Sequence, residues 1–469
     1  MNKKCQVFTP AQNVKELLDA VEYKTDIYGK TVIENACGDG NILEEIVRRY
    51  IQDALRQKKS VDEIRQGLQN NIYGVEIDDG HYKNCINKLT AVADSFDIMD
   101  VKWNILNEDF LKKKTGIKFD FVIGNPPYIT YRDLDINTRK YLKENFNSCR
   151  QGKFDYCYAF IEASLSCLND KGKLAYLIPS SIFKNVFAQE LRDIILPDVV
   201  RIIDYTTQKL FKDALTSSAI LVCEKGVDSQ EIEYYDVANC RNYKIKKTNL
   251  VGKWVFVEHK MEKNTKRRFG DYFTAAISIA TLLNKAYILK DFSHEEDFIK
   301  INDFRIERDL IREGVSPRSL NYGKKELILF PYSYDGDTLI RYEPNEFSKK
   351  FPEATKYLES YTEKLRKRKA DKSTSWFEYG RTQALAHLNQ PKLLLSTVVT
   401  KEVKVYKLDK ECIPYSGIYI VPRNNLPLSK AKEILESKDF YEYVKGIGIN
   451  ASGSSLRITA KDIENFEFK

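Results

Sequence analysis

Residues 121–128 read Phe-Val-Ile-Gly-Asn-Pro-Pro-Tyr, an apolar run that stops in Asn125-Pro126-Pro127-Tyr128. Two consecutive prolines fix φ and remove two ladder donors, so a strand does not continue through them. What remains at the strand end is a side-chain amide, a backbone carbonyl and an aromatic ring in a stiff cluster. Such a set is suited to accepting hydrogen bonds from a planar exocyclic amine while the ring that bears it lies against the tyrosine. The plainer alternative is a proline-rich turn with no chemistry of its own.

Three other segments carry groups that would complete a site. Glu34-Asn35-Ala36-Cys37-Gly38-Asp39-Gly40 follows a short apolar run, and its small residues let a ligand approach the backbone ahead of a helix N-terminus. It is not a phosphate loop, because the Gly-Lys-Ser/Thr ending is missing. Glu76-Ile77-Asp78 ends a second apolar run, where a carboxylate offers two acceptor oxygens to a ribose diol. Asn107-Glu108-Asp109-Phe110 adds an acid able to take an adenine amine and an aromatic able to stack on the ring. Singly, each also fits a tight turn or a surface acid. Jointly they occupy four strand ends, at the carboxyl edge where open α/β sheets bind ligands.

The elements that must position these groups alternate between strand and helix, which predicts a parallel sheet covered on both faces. Strands are expected over 31–34, 71–77, 101–105, 119–124 and 172–178. Strands over 201–205 and 218–223, joined by a polar loop, are expected to close the sheet. Asn41 is expected to cap a helix bearing Ile42, Leu43, Ile46 and Val47 on one face. Further helices are predicted over 81–93, 154–168 and 182–196. Beyond about residue 224 the pattern shifts to shorter elements with basic clusters at 263–268 and 364–369 and aromatics interleaved over Trp376-Phe377-Glu378-Tyr379-Gly380-Arg381. This half reads as an α+β domain with a basic face, whose 376–381 loop offers donors to base edges; each basic cluster also fits a solvated helix face.

Composition narrows the class. A chain of 469 residues suggests two or three domains, and 43% hydrophobic residues provide for real cores. The net charge of +8 favours a polyanionic partner. No stretch reaches the ~18–20 apolar residues of a membrane span, and the first residues lack a signal-peptide pattern. Nine cysteines without Cys-x-x-Cys spacing predict reduced thiols in a cytoplasm, and four unclustered histidines predict no metal site.

The ordered set Phe8-Thr9-Pro10, Glu34 to Gly38, Glu76, Asp109-Phe110 and Asn125-Pro126-Pro127-Tyr128 resembles the S-adenosylmethionine-dependent DNA adenine-N6 methyltransferases of the gamma class, the TaqI-like branch of bacterial restriction–modification systems. The motifs span about 6–225 and are most specific at 125–128. In the second half the resemblance rests on domain order and the stretch 452–459. It implies a Rossmann-like class I methyltransferase sheet with helices on both faces over 1–240 and an α+β target-recognition domain over 241–469. It places Thr9, Glu34, Ala36 and Gly38 along the methionine part of S-adenosylmethionine, with Asn125 beside them. Glu76 would hold the ribose, with Ile77 on the adenine. Asp109 would take the adenine amine, and Phe110, Pro127 and Phe160 would pack on that ring. Tyr128 and a second aromatic, Phe187 rather than Phe183, would sandwich the target base. Asn35 stands where many relatives carry proline. The partners implied are double-stranded DNA with a specific recognition site and a separate cognate restriction endonuclease, with the enzyme a monomer.

The residues then suggest a mechanism. An adenine amine is a poor nucleophile because its lone pair is delocalised into the ring. Acceptors at the Asn125 side-chain oxygen and the Pro126 carbonyl would draw the nitrogen toward sp³ and favour the transition state. Competing readings are a methyltransferase on RNA adenine, cytosine N4 or protein glutamine, a fused restriction nuclease, and a DNA-binding module that has lost catalysis.

Overall fold

A computed structural model describes residues 9–113, 116–205, 217–256, 267–452 and 455–469. Phe8, the polar loop expected between the last two strands, residues 263–266 of the first basic cluster and residues 453–454 of the closing stretch lie outside these. The chain forms two compact units, Met1–Lys260 and Met261–Lys469. The division falls at 260 rather than at 240, because two strands over 231–246 still belong to the first unit's sheet.

In the first unit the order is α1 (Ala11–Ala20), β1 (Val32–Glu34), α2 (Asn41–Arg56), α3 (Val61–Asn71), β2 (Ile72–Val75), α4 (Asp79–Asp94), β3 (Asn104–Leu106) and β4 (Phe119–Gly124). It continues through α5 (Ile136–Asn145), α6 (Cys157–Ser166), β5 (Leu168–Pro179), α7 (Gln189–Ile195), β6 (Val199–Asp204), β7 (Ser218–Glu224), β8 (Glu231–Asp236) and β9 (Arg241–Lys246). These strands make one sheet in the order β3-β2-β1-β4-β5-β7-β6-β8-β9. β3, β2, β1, β4 and β5 run parallel, whereas β7 is antiparallel to both its neighbours and β9 to β8. The sheet is therefore mixed rather than parallel. Nor is it closed by β6 and β7, because β8 pairs with β6 and extends the edge. β8 buries only Ile232 and Tyr234 and β9 only Ile245, a weaker signal than the apolar central runs.

Both faces are covered, as the alternation requires. One core gathers Leu17 and Leu18 of α1, Ile42, Leu43, Ile46 and Val47 of α2, and Leu89 of α4. The other gathers Cys157, Phe160 and Ile161 of α6 with Leu191 and Ile195 of α7. The cap of α2 is Gly40, not Asn41: Gly40 has φ 79°, and a Cβ there would stand 2.7 Å from Cys85 Sγ of α4. Only a glycine satisfies both demands. Asn41 is instead the first helical residue.

The helix expected over 182–196 forms only from Gln189. Before it come two short 3₁₀ turns, Ser180–Phe183 and Val186–Ala188. Asn185 accepts a hydrogen bond from Phe187 N at 3.0 Å, a side-chain turn that competes with helix. The buried Arg192 then serves two carbonyls the helix would have used, donating at 2.7 Å to Ile182 O and Asn185 O, and donates at 2.7 Å to the distant Gly252 O as well.

The second unit is α+β. One four-stranded antiparallel sheet joins Phe273–Ile277, Ile418–Pro422, Lys392–Leu395 and Val405–Leu408. A second, mixed four-stranded sheet joins Ile288–Leu289, Leu327–Leu329, Ile311–Val315 and Ile413–Pro414, the last two strands pairing in parallel. Helices include Pro352–Glu359 and Lys438–Ile447. The expected base-reading loop is mostly interior: Phe377, Glu378 and Tyr379 are fully buried, and Arg381 is exposed. In the second basic cluster Arg368 donates to the carbonyls of Thr281, Trp376 and Glu378, while Lys364, Arg366, Lys367 and Lys369 are exposed.

Candidate active site

The order β3-β2-β1-β4 brings the four noted strand ends to one edge, and the chain reverses direction of winding between β1 and β4. That reversal opens the crevice in which such sheets bind ligands. β1 is wholly buried and ends in Glu34, whose carboxyl accepts a bond from Leu43 N at 3.1 Å. Burial, reinforced by Cys85, pushes the Glu34 pKa well above the usual carboxylate range. The loop then turns over β2: Cys37 N donates to Val75 O at 3.0 Å, and Gly40 N to Cys37 O at 2.8 Å.

Gly38 N donates to Glu76 Oε2 at 2.8 Å, and Asp78 N to Glu76 Oε1 at 2.9 Å. Two amides thus aim a buried carboxylate at the crevice, each bond leaving an oxygen lone pair. The space above Gly38 is open, with no atom within 4 Å of the place a Cβ would take. Asp39 pairs with His81 of α4 (Oδ1 to Nδ1, 2.5 Å), which raises the His81 pKa. Ile77 is exposed at 46%. At β3, Asn107 Nδ2 donates to Glu76 O at 2.9 Å. Asp109 is half-buried; it accepts from Leu111 N at 3.1 Å and pairs with Lys112 at 3.2 Å, so its carboxylate is partly engaged within its own turn. Phe110 is buried and stacks on Phe160 of α6 at 5.7 Å.

At β4, Pro126 is buried and Asn125, Pro127 and Tyr128 are half-buried. Asn125 Nδ2 donates to Thr9 Oγ1 at 3.2 Å, uniting residues 116 apart. That bond sets the orientation of the Asn125 amide, whose oxygen is of the acceptor type an amine requires. The Tyr128 hydroxyl donates to Leu177 O of β5 at 2.7 Å, and burial raises its pKa.

Phe187 and Phe183 separate clearly. Phe183 is buried and stacks on Trp254 at 5.9 Å and 12°. Phe187 is 41% exposed, and its ring lies against Gly152, where a Cβ would come within 2.1 Å of it. The Gly152 segment leads into Asp155, bridged to Thr130, and Tyr156, whose N donates to Ile129 O at 2.9 Å. Phe187 is therefore linked through one short segment to the residues that follow Tyr128.

An open glycine loop, a buried acid aimed by two amides and a stacked aromatic pair suit a ligand with a ribose, a purine and a chain of small cross-section. S-adenosylmethionine has these parts. Among the described residues no group of three or more His, Cys, Asp or Glu could hold a metal ion, and no helix is long and apolar enough to cross a membrane. Sequence reasoning missed the support beneath these groups: Asn107 on Glu76, Gly152 under Phe187, Arg192 behind the Phe187 loop, and the partners of Asn35. Of these, Asn107 and Asn35 stand in motifs the sequence displays, but their partners do not.

Comparison with known proteins agrees with this geometry. Residues 70–211 match the family model described as Eco57I restriction-modification methylase, a span that includes Glu76, Asp109, Asn125 to Tyr128, Phe160 and Phe187. The chain is 23% identical to the Type II restriction enzyme and methyltransferase RM.Eco57I of Escherichia coli, over 86% of this chain and 50% of that protein. It is 22% identical to the Type II methyltransferase M.BstVI of Geobacillus stearothermophilus, over 97% of this chain and 88% of that one. It thus spans half the length of the first relative and most of the second. Among solved structures, the Type IIL restriction-modification enzyme MmeI in complex with DNA shares the fold, with TM-score 0.61 and 15% identity, over 97% of this chain and 64% of that one. The chain is thus similar, over these spans, to Type II restriction–modification methylases of the Eco57I-like kind, a similarity that implies S-adenosylmethionine as the cofactor.

Proposed function

We propose that this chain is a site-specific DNA methyltransferase that transfers a methyl group to the N6 amine of an adenine flipped out of duplex DNA. The observation that carries the reading is Asn125-Pro126-Pro127-Tyr128 at the end of β4, one strand from the Gly38 loop, with the Asn125 nitrogen already committed to Thr9. Bound S-adenosylmethionine supplies an electrophilic methyl on a sulfonium. The open space at Gly38 receives its methionine part, with Thr9, Glu34 and Ala36 beside it. Glu76 takes the ribose hydroxyls, Asp109 the adenine amine, and Ile77, Phe110, Pro127 and Phe160 the ring.

The chain's own groups handle the amine. Asn125 Oδ1 and the Pro126 carbonyl each accept one amine hydrogen, which frees the nitrogen lone pair to point at the methyl. Positive charge grows on that nitrogen as the methyl leaves the sulfonium, so acceptors fixed beforehand bind the transition state more tightly than the ground state, and the charged nitrogen then gives up one of its two protons to solvent. Flipping costs a few kcal/mol. Stacking on Tyr128 and Phe187 offsets it, at about 1–3 kcal/mol per aromatic contact. The second unit reads the recognition site, with Lys364, Arg366, Lys367 and Lys369 on phosphates and Arg381 able to reach a base edge. The enzyme acts as a monomer in the cytoplasm and protects DNA from a cognate endonuclease on a separate chain.

The test is transfer of tritiated methyl groups to mixed DNA, followed by mapping of modified bases. N6-methyladenine in one short sequence context is the expected product. Label in cytosine N4, RNA or a glutamine side chain would replace the substrate, and no label in any of them would remove the enzyme reading. Sedimentation with and without site-bearing DNA checks the monomer.

A further inference from the structure

We infer that Asn35, Ser164 and Tyr176 form a buried positioning network that holds the cofactor loop against the Asn125 strand end. The inference rests on the methyltransferase reading for its role and on three hydrogen bonds for its existence. Tyr176 O–H donates to Asn35 Oδ1 at 2.5 Å, and Asn35 Nδ2 donates to Ser164 Oγ at 2.7 Å. Ser164 Oγ lies 2.7 Å from the Tyr176 hydroxyl and 2.6 Å from Phe160 O, so its single proton serves one or the other. The three side chains make a closed ring of polar contacts, two of whose bonds have a fixed direction, and all three are buried. In a water-excluded site such a ring is stiff, because its bonds polarise one another.

Its position gives it a role beyond packing. Asn35 lies in the loop after β1, Ser164 on α6 and Tyr176 on β5, while β4 runs between β1 and β5. The network must therefore cross the end of β4, directly below Asn125. It crosses at Gly124, which pairs in register with Tyr176. A Cβ on Gly124 would stand 3.3 Å from the Tyr176 ring and 3.6 Å from Glu34 Cγ, tighter than most contacts on the ring side. The missing side chain is the passage.

Each member also sits beside a group the reaction uses. Asn35 is flanked by Glu34 and Ala36. Ser164 bonds the carbonyl of Phe160, which stacks on Phe110. Tyr176 precedes Leu177, whose carbonyl fixes the Tyr128 hydroxyl. One ring thus ties the loop beside the methyl donor, the wall beside its adenine and the aromatic beside the target base. Asn35 stiffens its loop through bonds to residues 129 and 141 positions away.

Tyr176→Phe removes the central hydroxyl and keeps the ring. Three readouts on the full chain separate positioning from bulk stability. Without cofactor, hydrogen exchange at the amides of 36–40 should quicken about 5- to 100-fold, the span expected when a buried acceptor loses its donor, while amides of the distant β6–β9 strands stay unchanged. S-adenosylmethionine binding by calorimetry should weaken several-fold, and kcat should fall about tenfold or more with KM for DNA unchanged. Ser164→Ala should move the same three quantities less, and it decides the matter if Tyr176→Phe does not fold. A folded variant in which all three stay within about twofold of wild type, or in which exchange rises evenly over the sheet, overturns the network. Asn125→Ala serves as the contrast, losing transfer with exchange over 36–40 in the cofactor-free chain unchanged. If wild type methylates nothing, the methyltransferase reading falls, and exchange and calorimetry still judge the network.

Discussion

As strings of letters, Asn125-Pro126-Pro127-Tyr128 and Trp376-Phe377-Glu378-Tyr379-Gly380-Arg381 invite the same interpretation: aromatics interleaved with groups that could bond a base. The fold treats them oppositely. The first ends a central parallel strand at the crevice, where its amide nitrogen is taken by Thr9 and its tyrosine is fixed by Leu177. The second is threaded through a core in which Phe377 stacks on Phe347 at 4.0 Å and Tyr379 donates to Leu329 O. Its acid is neutralised from within, because Glu378 accepts from Arg341 Nε and Ser375 N, each at 2.7 Å. Interleaving alone does not distinguish a recognition loop from a core strap. Two prolines at the end of an apolar run do, because they force the backbone out of the sheet where its polar groups have no ladder partner.

Substitutions can break this contrast. Asn125→Ala should cost the most, about 10²–10³-fold in kcat, the usual effect of losing one pre-placed transition-state contact. Measured S-adenosylmethionine affinity should hold, and near-normal turnover would end the comparison. Glu378→Ala should act on stability instead, lowering it by about 2–3 kcal/mol through a stranded, partly exposed Arg341 and an unserved Ser375 amide. Denaturant unfolding reads that loss, and wild-type stability would put the 376–381 segment back at the surface. Phe187→Ala should raise KM for DNA about tenfold, the worth of one stacked base, and should change the fluorescence of 2-aminopurine placed at the target.

The last effect, that of Asp155→Asn, is confined to one side of the pH range. Burial raises the Asp155 pKa to about 6, so the folded chain holds that proton more tightly than the unfolded one. Stability from this group is therefore fully present below the ordinary carboxylate pKa and falls as pH climbs toward about 6. Asparagine should remove that dependence and stabilise the protein by on the order of 2 kcal/mol at pH 8 but not at pH 4. Equal melting shifts at the two pH values would show that Asp155 is not desolvated.

How much of this was legible follows from how local each signal is. The four strand ends were readable because apolar runs, small residues and prolines act within a few positions of themselves. The helix over 182–196 was misread because the forces that unwind it are a side-chain turn at Asn185 and the reach of Arg192 to carbonyls up to 60 residues away. Strands β8 and β9 escaped notice because an edge hairpin needs few apolar residues. The ring of Asn35, Ser164 and Tyr176 left no trace at all. Its members are ordinary residue types, and only the sheet order makes them neighbours.

If the proposed reaction is right, the bond from Tyr128 to Leu177 O has a consequence for the timing of base capture. A tyrosine tethered at its far end has lost its rotational freedom during folding, so an arriving base meets a surface whose ordering entropy is already spent. Phe187 has no such tether and is 41% exposed, so its ordering falls to the moment of binding. The two faces of the proposed sandwich are thus unequal partners: one is an anvil set in advance, and the other is a clasp that closes on whatever the anvil has caught.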